Sequence, residues 1–137
     1  MKVNKKYNCL FIGNAIVDVV SEVSFDFLEK QKIEVGSWRP VSINEINELQ
    51  EKMSNTIIAS GGSAANSAVG FSLLGGRSAF IGRVKSDDFG SLYINDLKEA
   101  NVDFISNPVD TGNETGRCLV YVLSLIHISE PTRRTII

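Results

Sequence analysis

The side chains and backbone groups best placed to do chemistry fall into two stretches, and the denser is Ser60-Gly61-Gly62-Ser63-Ala64-Ala65-Asn66-Ser67-Ala68. Two glycines precede a run of small residues that continues to Leu73-Leu74 and is closed by Gly75-Gly76. That pattern predicts a helix with a permissive loop in front and a stop behind. The first turn of such a helix leaves backbone N–H groups without intrahelical partners, and a glycine, lacking Cβ, lets a ligand oxygen come close to them. Asn66 adds an amide that both donates and accepts, which suits a hydroxyl-bearing ligand better than a bare anion. Gly, Ala and Ser would equally serve a helix whose backbone packs tightly on its neighbours, so both roles stand at this point.

The second stretch lies earlier. Tyr7 to Ile12 is a short apolar run ending in Gly13-Asn14, which predicts a buried strand whose carboxyl end opens into a loop, where ligands gather in open α/β sheets. The Val and Ile content of Ala15 to Ser21 predicts that the chain stays extended, so Asn14, Ile16 and Asp18 share one face by period-two alternation. A carboxylate accepts from two neighbouring hydroxyls at once, the arrangement a sugar diol offers. The alternative is that Asp18 simply ends a surface strand.

Strands and helices alternate around these stretches. A short amphipathic helix is expected over Phe25 to Ile33, followed by a turn from Gly36 to Pro40 that carries the only tryptophan, Trp38. Ser42-Ile43-Asn44-Glu45 fits a capping box, with Val41 and Ile46 as a hydrophobic staple, and Ile43, Ile46, Leu49 and Met53 recur at helical spacing; this predicts a structural helix from about Ile43 to Met53. Thr56 to Ala59 reads as a strand leading into the glycines, and Ser78 to Ile81 as another. Ser86-Asp87-Asp88 opens a helix reaching about Ala100, with Leu92 and Leu97 inward, and Asn101 ends it. Val102 to Ile105 and Arg117 to Val122 complete the strands. The alternation predicts an α/β fold with a mostly parallel sheet flanked by helices.

Composition narrows the function. The 137 residues are 43% apolar and 22% charged, enough for one core-forming domain. Fourteen basic residues against sixteen acidic give a net charge of −2, with the basic residues scattered, so nucleic acid is not an expected partner. The apolar run after the basic N-terminus is too short for a signal-peptide core or a membrane span, so a cytoplasmic protein without a membrane partner is expected. Cys9 and Cys118 lack metal-like spacing and are read as buried free thiols, and no metal site is expected. The glycines lack the G-x-G-x-x-G spacing of dinucleotide-binding folds. Oligomeric state is not legible.

Taken together, Gly61-Gly62-Ser63-Ala64-Ala65-Asn66-Ser67-Ala68, Gly75, Phe80-Ile81-Gly82-Arg83-Val84 and Asp87-Asp88-Phe89-Gly90 resemble the N-terminal signature of the ribokinase-like (PfkB) carbohydrate and nucleoside kinases. Gly13-Asn14-Ala15-Ile16-Val17-Asp18 is similar to the start of the adenosine-kinase-like branch. Lys85 departs from the pattern, standing where the signature has Gly. The resemblance covers roughly Tyr7 to Val122 and implies a ribokinase-like, Rossmann-like sheet with a small β lid, here truncated. It implies that Asn14, Asp18, Gly62, Ser63 and Asn66 hold the hydroxyls of a small-molecule substrate, a nucleoside or a sugar, with Trp38 and Cys118 near the pocket. The strands around Val17 to Val23 and Arg117 to Val122 would form the lid. The complete enzyme would use ATP and Mg²⁺, with an Asp as base.

In that family the base and the ATP site come from a later Gly-Ala-Gly-Asp type motif, which this sequence does not contain. The resemblance therefore implies an acceptor-binding fragment holding no catalytic residue and no cofactor, inactive alone. Residues 1–122 are read as the N-terminal part of a kinase domain. Residues 123–137, including His127, resemble the translation of a transposon-end adapter and are expected to be a non-native tail; a genuine strand with a frayed end is the alternative.

Overall fold

The computed structural model describes residues 6–123; residues 1–5 and 124–137, with His127 and nearly all of the expected tail, lie outside the described residues. The elements in chain order are β1 (Cys9–Ile12), β2 (Ile16–Val23), α1 (Phe25–Lys30), α2 (Ile43–Glu51), β3 (Ile57–Gly61), α3 (Ser63–Leu73), β4 (Ser78–Ile81), α4 (Asp88–Glu99), β5 (Val102–Phe104) and β6 (Gly116–Leu123). Among the described residues the strands form two sheets of three each, ordered β1-β4-β5 and β3-β2-β6. In the first, β1 and β4 pair in parallel with Phe11 opposite Phe80, and β4 and β5 pair in parallel with Phe80 opposite Phe104. The expected lid strands thus share the second sheet, with β3 beside them.

The chain divides into two compact units, residues 1–19 with 58–118, and residues 20–57 with 119–137. In the first, the core is a run of small and branched residues around three aromatic rings. Ala65 and Ala68 on α3 and Phe80 on β4 are buried together with Val84, Tyr93, Leu97 and Val102. The rings of Phe80, Tyr93 and Phe104 lie 6.0–6.2 Å apart, tilted or edge-on as aromatic quadrupoles prefer. The alanines let α3 approach the sheet closely: a Cβ added at Gly13, beyond β1, would stand 2.7 Å from Ala64 Cβ. The small-residue stripe of α3 therefore does serve packing, on the side opposite its exposed Ser63 and Asn66.

Helix ends follow the local chemistry. The Ser42 hydroxyl accepts from the Glu45 N–H at 3.2 Å, and α2 buries Ile46 and Leu49. The α3 helix closes as a Schellman motif, with Gly75 at φ 87° and the Gly76 N–H reaching the Phe71 carbonyl at 3.1 Å. The helix expected to reach Ile33 stops at Lys30, because Lys32 turns left-handed at φ 53° and the Ile33 N–H bonds back to the Leu28 carbonyl. The same device ends α4, where Asn101 takes φ 57°. On α4 the fully buried inward residue is Tyr93, with Leu92 only partly buried. Both cysteines are free but only half-buried, which corrects the expectation of buried thiols.

In the second unit, Phe27 of α1 stacks on Tyr121 of β6 at 5.5 Å, and the buried Ser21 hydroxyl donates to the Ser54 carbonyl at 2.7 Å. Trp38 belongs to this unit and is 81% exposed. No helix among the described residues is long and apolar enough to cross a membrane.

Because a side chain at φ 53° meets its own backbone, Lys32→Gly is expected to stabilise the chain by about 0.5–1 kcal/mol. A urea midpoint that falls instead would show that the Lys32 side chain holds the turn.

Candidate functional site

The carboxyl end of β3 runs straight into α3, and the loop expected between them is a single residue. Gly61 ends the strand and Gly62 caps the helix at φ 99°, ψ 132°, a conformation L side chains avoid. No side chain caps the first turn of α3. Its N–H groups at Ser63, Ala64 and Ala65 precede the first intrahelical bond, which the Asn66 N–H gives to the Gly62 carbonyl at 2.9 Å.

The segment Asn14 to Asp18 lies against this turn. A Cβ at Gly62 would stand 2.7 Å from the Asn14 carbonyl oxygen, and one at Gly61 would stand 2.5 Å from Asp18 Oδ2. Gly62 is therefore required by backbone approach and by its φ, while a Cβ at Gly61 would displace the Asp18 carboxylate. Burial alternates along β2, with Ala15, Val17 and Val19 inward and Ile16 and Asp18 on the other face. Cys118 on β6 joins the group electrostatically: burial, and then the charge of Asp18, push its thiol above the ordinary cysteine range. A thiol so placed stays protonated at neutral pH and offers a weak donor. Within the first unit the Asp18 carboxylate thus faces Gly61 and the Asn14 carbonyl faces Gly62, with Cys118 near enough to Asp18 to feel its charge and Ser63 and Asn66 exposed on the adjoining helical turn. Trp38 belongs to the second unit.

Three residues absent from the sequence reading, Tyr93, Asp96 and Thr115, hold this arrangement together with Ser60 and Asp87. Tyr93 donates its hydroxyl to the Gly61 carbonyl at 3.1 Å, and burial pushes its pKa up to about 12, so it stays a donor. Asp96 accepts from both the N–H and the hydroxyl of Ser60, at 3.2 and 2.6 Å. At the start of α4, Asp87 Oδ1 accepts from the Gly90 N–H at 2.8 Å and the Thr115 hydroxyl at 2.6 Å, while Oδ2 accepts from the Thr115 N–H at 2.9 Å. Thr115 immediately precedes β6, and its hydroxyl oxygen accepts from the Lys85 N–H at 3.0 Å. The residue at the family's glycine position thus contributes through its backbone. Sequence spacing carries one of these signals: Tyr93 and Leu97 sit four apart on the buried face of α4.

Burial works to raise the Asp87 carboxyl, but the bonds from Thr115 and Gly90, with Lys85 nearby, outweigh it and leave the group below its ordinary value.

A family model described as pfkB family carbohydrate kinase matches residues 17–124. Among solved structures, the adenosine kinase of Sinorhizobium meliloti matches with a TM-score of 0.77 at 36% identity, over 87% of this chain and 36% of that one. The adenosine kinase of Anopheles gambiae, solved with P1,P4-di(adenosine-5) tetraphosphate, matches in fold with a TM-score of 0.71 at 24% identity, over 84% and 37%. Among curated proteins, the 5-dehydro-2-deoxygluconokinase of Clostridium tetani is 33% identical over 107 residues, 74% of this chain and 31% of that protein. The fructokinase of Escherichia coli is 39% identical over 75 residues, 55% and 24%. The chain therefore spans less than a third of the length of these curated relatives.

Two outcomes follow from the geometry. Gly62→Ala, forced into an unfavourable backbone region against the Asn14 carbonyl, is expected to lose about 1–3 kcal/mol in denaturant titration, and an unchanged midpoint would contradict the close approach. The depressed carboxyl of Asp87 contributes stability in full above the ordinary aspartate pKa near ~3.9 and loses it as pH falls through its lower folded value. Asp87→Ala should then cost about 1–3 kcal/mol at neutral pH and flatten this part of the acid limb of a melting-temperature profile.

Proposed function

The chain belongs to the pfkB family of carbohydrate kinases, and from that premise we propose that it is the acceptor-binding part of an ATP-dependent kinase acting on an adenosine-like nucleoside. The observation that carries this reading is the Asp18 carboxylate set against Gly61, beside the uncapped first turn of α3. Asp18 accepts from two adjacent ribose hydroxyls, the free N–H groups and the Asn66 amide meet their oxygens, and Asn14, Ser63 and Cys118 complete the lining. Fixing the diol this way orients the primary hydroxyl as the nucleophile. The 36% identity to a solved adenosine kinase supports the nucleoside over a free sugar.

Phosphoryl transfer needs ATP and Mg²⁺, which supply the transferred group and neutralise its charge. Among the described residues no group of three or more His, Cys, Asp or Glu side chains offers a metal a site, so no step here is routed through one. On this reading the chain binds and orients the acceptor, while the base and the nucleotide site belong to a longer protein. The tail from residue 123 is then foreign to that protein, and the chain alone transfers no phosphate.

A sugar acceptor is the second reading, favoured by the fructokinase and 5-dehydro-2-deoxygluconokinase among the relatives. Calorimetry of the 137-residue chain with adenosine and with fructose separates the two. Adenosine binding, weakened about tenfold or more in Asp18→Ala, is the expected result, matching the roughly 1.5–3 kcal/mol of hydrogen bonds to a charged group. Uptake of fructose alone would move the assignment to sugars, and uptake of neither would refute the acceptor site.

A further inference from the structure

The glycine turn is held from behind by a helix that contributes nothing to its surface. Tyr93 and Asp96 stand three apart on α4, so they project from one face of it. Tyr93, fully buried, holds the Gly61 carbonyl at 3.1 Å, and Asp96 holds Ser60 by both its N–H and its hydroxyl. These are three bonds on two consecutive residues, immediately before the φ 99° cap of α3. On its other side the Asp18 carboxylate occupies the space that a Cβ at Gly61 would take. Any displacement of residues 60 and 61 is therefore transmitted to Asp18 and to the first N–H groups of α3.

We infer that Tyr93 and Asp96 are positioning residues for the acceptor site, setting the distance between the Asp18 carboxylate and the amino end of α3 without touching the ligand. This rests on the acceptor-site reading above and adds to it where specificity for a rigid diol originates. A cis-diol fits one spacing between acceptor and donor groups, and the three bonds from α4 fix that spacing from outside the pocket.

The test uses the 137-residue chain, with adenosine as the probe and backbone amide resonances as a second readout. Tyr93→Phe removes one hydroxyl and keeps the ring in the core. Asp96→Ala removes the clamp on Ser60, and Asp96→Asn keeps an acceptor oxygen for it. Leu92→Ala, on the same helix, is the control for a general loss of stability. Expected are an about tenfold weaker affinity for adenosine in Tyr93→Phe and Asp96→Ala and a shift of the amide resonances of residues 61–66. Asp96→Asn should recover most of both. Leu92→Ala should lower the melting temperature and leave affinity and those resonances unchanged.

Tyr93→Phe and Asp96→Ala that bind adenosine like the parent chain overturn the inference, as does a Leu92→Ala variant that weakens binding equally. A parent chain that takes up no adenosine refutes the acceptor reading by itself. The resonances then decide alone: a shift confined to residues 61–66 sustains the positioning role, and its absence ends it.

Discussion

Much of the candidate site depends on one close approach, that of the Gly61-Gly62 backbone to the Asn14–Asp18 segment. Two hypothetical Cβ atoms measure it, at 2.5 Å from Asp18 Oδ2 and 2.7 Å from the Asn14 carbonyl oxygen. A side chain at Gly62 would push the Asn14 backbone away, and one at Gly61 would displace the Asp18 carboxylate from the amino end of α3. The cost of the approach is met elsewhere in the first unit. Alanines at 65 and 68 let the helix lie close to its sheet, and Tyr93 fills the space behind the turn while satisfying a buried carbonyl. Packing therefore uses Ala65 and Ala68 on the buried face of a helix whose other face exposes Ser63 and Asn66.

Family membership and the observed fold agree with this picture at the level of architecture. A parallel sheet covered by helices presents the carboxyl ends of its strands as a place for ligands, and the Gly13-Asn14 corner lies at such an end. The relatives include both nucleoside and sugar kinases, whose acceptors share vicinal hydroxyls. On the proposed reading a carboxylate flanked by backbone donors meets a diol, and the part of the acceptor beyond it separates nucleoside from sugar.

The sequence made legible whatever is governed by short-range rules. Ser42 and Asp87 as caps, Gly75 as a left-handed stop and the alternation that puts Asp18 opposite Val17 each follow from a few neighbouring residues. The end of α1 was not legible, because Lys32 adopts a conformation its type disfavours and only the bond from Ile33 back to Leu28 accounts for it. Nor was the place of β3 beside the lid strands, which depends on pairing between strands far apart in the chain. The same holds at the site. Asn14, Asp18 and Gly62 are marked by residue type, whereas Ser60, Tyr93, Asp96 and Thr115 act through contacts spanning 28 to 36 positions and carry no local signature. Cys118 falls between these cases, since its type is distinctive and its neighbour is not.

The bare amino end of α3 has a thermodynamic corollary. The three other helices begin with a serine or aspartate that closes their first turn, and this one begins with a glycine that closes nothing. On the proposed acceptor reading, a bound oxygen would take the place of the absent cap, and occupancy and ordering of the turn would be linked equilibria, each raising the other by the same factor. A segment built in this way is least well ordered when empty, and it spends part of its binding free energy on completing its own fold.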